Sequence, residues 1–205
     1  MLACVRDGKP ALHDASSVCG ETVTARGIVL VGFMGAGKST VGRELGLQLG
    51  WPFEDLDDRI QAREGRIIER IFHESGEAAF RQAEHHALRQ LIEELGLEAR
   101  VAALGGGAFV QANNLALLES SGLPTVFLDA PPEELFRRCE EQGTNRPLQR
   151  DRERFLQLYT QRQPHYCKAS IRIETTGKAV HSVAEEIIER LGLLPRSLNT
   201  SRSHR

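Results

Sequence analysis

No apolar run in this 205-residue chain extends beyond a few residues, so nothing in it reaches the ~20 needed to cross a bilayer as a helix. An excess of one charge is missing too. Twenty-eight acidic against 26 basic residues leave a net charge of −2, whereas a general nucleic-acid binder or a polybasic membrane protein carries a strong positive excess. Cysteine is scarce and unpatterned: Cys4, Cys19, Cys139 and Cys167 form no C-x-x-C pair and no metal-ligand spacing. They read as reduced thiols of a cytoplasmic protein, not as a disulfide framework or a zinc site. The N-terminal stretch lacks the roughly 7–15-residue apolar core of a secretory signal, and Asp7, Asp14 and Glu21 sit badly in an acid-poor transit peptide. Nineteen glycines without a repeating period exclude collagen-like and low-complexity chains. Lysine is nearly absent, since 22 of the 26 basic residues are arginine; arginine is the better residue for bidentate recognition of anions.

The length suits one domain with tails. A chain of this size buries roughly 70% of its unfolded surface and needs neither disulfide nor metal to fold. Residues 1–26 mix Gly, Ser, Asp and Lys without periodicity and read as a loose extension; residues 195–205 form a polar tail carrying Arg196, Arg202 and Arg205. Between them, residues 27–194 alternate short apolar runs with helical patterns, which predicts an α/β domain with a parallel sheet. The strands are expected at Ile28–Val31, Pro52–Asp55, Val101–Leu104, Thr125–Leu128 and Ile171–Glu174. IVLV, VAAL and TVFL are the unbroken apolar runs that central parallel strands show. Helices are expected from Val41 to Leu49, stopping at Gly50, then at Glu77–Leu95, Gln111–Glu119, Pro132–Glu141, Glu153–Arg162 and Val180–Leu191. The segment Gln142–Arg152, rich in Gly, Pro and Arg with almost no apolar anchor, is expected to be a mobile loop.

Gly32-Phe33-Met34-Gly35-Ala36-Gly37-Lys38-Ser39 matches G-x-x-x-x-G-K-[ST], directly after one predicted strand and at the start of a helix. Glycines let the backbone curl its N–H groups onto phosphate oxygens, and the helix N-terminus adds partial positive charge. Lys38 is expected on the β- and γ-phosphates and the Ser39 hydroxyl on Mg²⁺. The pattern therefore predicts binding of a nucleoside triphosphate.

A phosphate loop says nothing about the phosphoryl acceptor. The second predicted strand ends in Asp55-Leu56-Asp57-Asp58, and a carboxylate there lies at the ligand edge of an open α/β sheet. Asp55 could hold a Mg²⁺-bound water and Asp57 could orient or deprotonate a hydroxyl; equally, one of these aspartates could simply cap the helix that follows. Arg81, flanked by Glu77 and Glu84 at helical spacing, could be a surface ion pair or a ligand. Gly105-Gly106-Gly107 directly follows the third strand. Three bare glycines allow a small polar ligand to meet backbone N–H groups, and since a simple tight turn needs only one or two glycines, the ligand reading is favoured over the turn. Seven arginines fall between Arg137 and Arg162, among them Arg146 before Pro147 and Arg162 before Pro164-His165-Tyr166. The pair His85-His86 points to different helix faces and reads as structural or exposed.

Taken in order, GFMGAGKST, Asp55-x-Asp57, Phe80-Arg81-x-x-Glu84, the glycine triplet, Arg146-Pro147-Leu148 and Arg162-x-Pro164-x-Tyr166 resemble shikimate kinases, small members of the nucleoside-monophosphate-kinase-like P-loop group. The resemblance covers about Gly27 to Leu193. It implies a three-layer fold with a five-stranded parallel sheet in the order 2-3-1-4-5, a lid and a substrate-binding subdomain. It also implies ATP-dependent phosphorylation of the 3-hydroxyl of shikimate in aromatic amino acid biosynthesis, by a cytoplasmic monomer with Mg²⁺ as cofactor and no nucleic-acid or membrane partner. ATP would lie on Gly35, Ala36, Gly37, Lys38, Ser39 and Thr40, with Arg138 along the adenine and Arg146 closing with the lid. Mg²⁺ would be held by Ser39 and, through water, by Asp55. Shikimate would meet Asp57 as candidate base, Arg81 and Arg162 through its carboxylate, and Gly105, Gly106 and Gly107 through the backbone, with Phe72 and Phe80 walling the ring and Glu84 orienting Arg81. Asp57, Lys38 and Arg146 would carry catalysis. The stretch Arg146–Arg162 is several residues shorter than is usual in that family, and Gln149 follows Leu148 where a second leucine is common. Two alternatives stand beside this: a kinase for another small hydroxy acid such as gluconate, and a non-catalytic metabolite sensor.

Overall fold

The computed structural model describes residues 27–141 and 151–195. The expected N-terminal extension, most of the expected mobile loop with Arg146, and all but the first residue of the tail lie outside the described residues. Five strands form one parallel sheet: β1 (Gly27–Val31), β2 (Phe53–Asp55), β3 (Arg100–Ala103), β4 (Thr125–Asp129) and β5 (Ile171–Glu174), in the order β2-β3-β1-β4-β5. Burial follows position. The inner strands β1 and β4 are buried at every residue, and β3 at all but its first. The edge strands differ: β2 (FED) is half-buried throughout, and in β5 (IRIE) only Ile173 is buried. Only inner strands need to be apolar on both faces.

Among the described residues, seven α-helices surround the sheet: α1 (Lys38–Leu49), α2 (Leu56–Glu64), α3 (Ile68–Leu95), α4 (Ala112–Ser121), α5 (Pro132–Glu141), α6 (Arg152–Tyr166) and α7 (Val180–Arg190). Crossovers between parallel strands are right-handed. The step from β1 out to β2 runs one way along the sheet and the later steps run the other, so α1 lands on one face and α3, α4 and α6 on the opposite one. α7 returns to pack on α1.

Two helices exceed their sequence signal. α3 begins at Ile68, nine residues before the expected Glu77, with a break at Gly76 (φ 78°, ψ 172°). The polar run His73-Glu74-Ser75 and the glycine interrupt the apolar stripe that marks the second half. α6 continues past Arg162 through Pro164 to Tyr166, and its buried Phe155 and Tyr166 hold it onto the sheet. Among the cysteines of the described residues, Cys139 is free and buried; Cys4 and Cys19 lie outside the described residues. Among the described residues no helix is long and apolar enough to cross a membrane.

The α1–α7 contact carries a titratable link. His181 Nδ1 on α7 lies 2.8 Å from Glu44 Oε1 on α1, and its Nε2 3.4 Å from Glu185. The Glu44 hydrogen bond, then the charge of Glu185, raises the His181 pKa above 6.5. A raised histidine stabilises the fold below its unfolded pKa, and that contribution is lost as pH rises through the folded value. In urea unfolding, wild type should therefore be more stable than His181→Gln near pH 5.5, and the difference should disappear by about pH 8.5. A difference that is constant over this range contradicts the link.

Candidate active site

The phosphate loop runs from Gly32 at the end of β1 to the first turn of α1. A methyl group built on Gly35 (φ +79°) would lie 2.4 Å from the Leu135 carbonyl oxygen of α5, so the loop can pass beneath α5 only as glycine. Gly37 is the N-cap of α1 and supplies no side-chain cap. The first N–H groups of α1 are thus left to a ligand rather than to a side chain. Lys38 Nζ donates to the carbonyls of Gly32 and Phe33, each at 3.0 Å. The Ser39 hydroxyl donates to Asp55 Oδ2 at 2.7 Å. Asp55 also caps α2, accepting from the Asp57 N–H at 3.1 Å, so the capping and functional readings of this aspartate hold together.

β3 lies between β2 and β1, so the glycine triplet that follows β3 emerges between the aspartates and the phosphate loop. A methyl group on Gly105 would lie 2.5 Å from Asp57 Oδ1, and one on Gly107 would lie 2.9 Å from Arg81 Nη1. One on Gly106 would lie 3.7 Å from both Arg162 Nη1 and the Met34 nitrogen. Three side chains from three helices (α2, α3 and α6) thus rest against successive bare residues of one loop. The triplet is more than a tight turn.

Arg81 is fixed before any ligand arrives. Its Nη1 donates to both oxygens of Glu84, at 3.2 and 2.9 Å, and Nη2 donates to Glu77 at 3.2 Å. Glu84 is only 1% exposed. Burial pushes its pKa up, Arg81 most strongly opposes that, the charge of Asp57 adds to the rise, and Arg162 pulls the other way. The Arg81 guanidinium sits 5.2 Å from the Phe80 ring centroid, and Phe80 packs on Phe72 at 4.5 Å. Arg162 stands 6.0 Å over Phe33 of the phosphate loop, whose ring packs edge-on against Phe155 and Tyr159 of α6.

One cavity of about 930 Å³ takes in Gly35, Gly37, Lys38, Ser39, Thr40, both aspartates, Phe72, Phe80, Arg81, Glu84, the glycine triplet and Arg162. That volume lies within the ~300–1,000 Å³ of small-molecule sites. Of the other expected residues, Ala36 is buried beneath the loop and does not line the cavity. Arg138 stands apart from the lining, its guanidinium donating to Glu134 (2.8 Å) and to the hydroxyl and carbonyl of Thr175 after β5 (3.1 Å each). Arg146 lies outside the described residues. Sequence reasoning missed Ile68, Glu69 and His73, which line the cavity from the first turns of α3; with Phe72 they were legible only as a short amphipathic pattern before Gly76.

A family model for shikimate kinase matches residues 34–192. The chain belongs to the shikimate kinase family. A shikimate kinase of Geobacter metallireducens is 41% identical over 176 residues, spanning 84% of this chain and 96% of that one. One of Persephonella marina is 37% identical over 166 residues, spanning 81% and 99%. Among solved structures, a shikimate kinase from Acinetobacter baumannii in complex with shikimate superposes with a TM-score of 0.73 at 34% identity, covering 88% of this chain and 97% of that one. The family's sheet order and three-layer P-loop fold are those described above.

Gly105 offers a local test. Its backbone dihedral is not in the left-handed region, so Gly105→Ala should fold normally while the new methyl displaces Asp57. In an ADP-release assay the variant should lose at least tenfold in turnover, with an unfolding midpoint close to wild type. Wild-type turnover would show that Asp57 does not depend on the bare glycine.

Proposed function

We propose that the cavity binds ATP on the phosphate loop and shikimate against the glycine triplet, and transfers the γ-phosphoryl group to the shikimate 3-hydroxyl, giving shikimate 3-phosphate and ADP. The observation that carries this reading is the convergence of Asp57, Arg81 and Arg162 on Gly105–Gly107, in the same cavity as Lys38 and Ser39. Two guanidinium groups suit the carboxylate of the acid, one of them oriented by Glu84. The aspartate suits a ring hydroxyl, and Phe72 with Phe80 suits the apolar face of a cyclohexene ring.

In the reaction the acceptor oxygen forms a bond to the γ-phosphorus as the bond from phosphorus to the β–γ bridging oxygen breaks. The hydroxyl proton passes to the Asp57 carboxylate. Phosphoryl transfer has a loose transition state with little covalent work for the protein, so Asp57 acts first by alignment and only late as a base. Lys38 stabilises charge on the transferred group. Arg146 would join it from the lid and Arg138, held at Thr175, would border the adenine; both roles extend the family resemblance.

The donors for Mg²⁺ fit. The Ser39 hydroxyl and the Asp55 carboxylate are hard oxygen groups 2.7 Å apart at the phosphate end of the cavity, and Mg²⁺ is commonly held by one or two such groups plus phosphates and waters. Ser39 would hold the ion directly and Asp55 through water; when bound, the ion neutralises phosphate charge. The reading puts the reaction in the cytoplasm, where ATP is held. The presence of Lys38, Ser39, Asp55 and Asp57 in one cavity speaks against a non-catalytic sensor.

Asp57→Asn keeps the shape and removes the carboxylate's charge and basicity. It should lower turnover by about a hundredfold or more while leaving the ATP KM within about twofold. ADP release with Mg-ATP should be stimulated by shikimate and not by gluconate. Turnover within a factor of a few of wild type, or no stimulation by shikimate, would overturn the assignment.

A further inference from the structure

The motif that supplies Arg162 also supplies Tyr166, one turn later on α6, which the mechanism above does not use. Tyr166 is 0% exposed, and its ring is held between Phe127 (5.3 Å, 28°) and Phe109 (6.5 Å, 16°). Its phenol O–H donates to the Gly106 carbonyl. We propose that Tyr166 is a positioning residue for acceptor recognition: by holding the Gly106 carbonyl it fixes the peptide plane that presents the Gly107 N–H to the acceptor.

The argument rests on peptide geometry and on the reading of the cavity as an acceptor site. The Gly106 carbonyl and the Gly107 N–H belong to one planar unit, and the described chain has no cis peptide bond. The two groups therefore point in opposite directions. With the carbonyl fixed on buried Tyr166, the Gly107 N–H points away from α6. Among the described residues nothing accepts a hydrogen bond from the N–H of Gly106 or Gly107, and both glycines line the cavity. Three consecutive glycines have more accessible backbone states than any other tripeptide, so something must select one of them. The Tyr166 hydrogen bond does so at the middle residue.

Two further observations localise the role. The turn after the triplet is pinned separately: buried Asn114 donates to the Ala108 carbonyl at 3.0 Å, its Oδ1 lies 2.7 Å from His85 Nδ1, and the Ala108 N–H donates to the Gly105 carbonyl at 3.0 Å. Loss of the phenol oxygen alone should thus leave the loop in place and free one peptide. The donor is also permanent: burial pushes the phenol pKa up to about 12, against an opposing contribution from Arg162, so Tyr166 donates throughout the assay range.

Tyr166→Phe keeps the ring and its stacking and removes the phenol oxygen, and with it the hydrogen bond to Gly106 and the contact with Arg162. Arg162→Lys, measured alongside, gives the effect of disturbing that arginine with the Gly106 hydrogen bond kept. Steady-state kinetics with both substrates varied should show the shikimate KM raised about tenfold, with the ATP KM within twofold. In ¹⁵N-glycine-labelled protein, the Gly107 amide resonance should shift on adding shikimate to wild type and respond much less in the variant. A merely structural tyrosine would lower the active fraction, and hence kcat, with both KM values unchanged; that result, or an equal rise in both, overturns the proposal. A wild type that ignores shikimate overturns the functional reading together with this inference, whereas an ordinary wild-type shikimate KM matched by the variant's overturns the inference alone.

Discussion

The site depends on three residues having no side chains. Gly105, Gly106 and Gly107 leave room for Asp57, Arg162 and Arg81 to lie within 2.5–3.7 Å of where β-carbons would otherwise stand. This close approach brings a carboxylate from α2 and guanidinium groups from α3 and α6 to one short stretch of backbone. A side chain at Gly105 would push Asp57 outward and one at Gly107 would push Arg81 outward, and groups spread over different helices have no other common anchor. The sheet order supplies the rest: because β3 sits beside β1, the loop after β3 opens next to the phosphate loop, and donor and acceptor can meet.

The electrostatics follow from this crowding. Two arginines near one small cavity repel each other unless carboxylates neutralise them, and a nearly fully buried Glu84 would be costly without a partner. Each resolves the difficulty of the other. Glu84 holds Arg81 by both oxygens of its carboxylate, and Asp57 lies close enough to Glu84 to raise its pKa. The cavity is therefore pre-organised for a molecule bearing both a carboxylate and a hydroxyl, which limits the ordering that binding has to impose.

Much of this was legible in the amino-acid sequence, for identifiable reasons. All five strands were found within about two residues, because inner parallel strands are unbroken apolar runs and the phosphate loop marks the first of them. The P-loop residues and the glycine triplet were legible as motifs. Arg81 was not decided by its own surroundings, since flanking glutamates at helical spacing describe a surface ion pair equally well; only the resemblance to a family favoured the ligand reading. The first turns of α3 were missed because Gly76 and three polar residues break the periodicity, and with them went Ile68, Glu69 and His73 as cavity residues. Tyr166 carried no signal for its hydrogen bond: a helix-end tyrosine after proline reads as packing, and only its position beneath Gly106 gives it a role.

The central claim is geometric, and the most direct measurement is a crystal structure of the chain with shikimate and ADP bound. The account predicts the acid's carboxylate between Arg81 and Arg162, its 3-hydroxyl within hydrogen-bond reach of Asp57, and its ring over the glycine triplet facing the phosphate loop. Shikimate seated elsewhere, or lying in the cavity with its carboxylate away from both guanidinium groups, would contradict it.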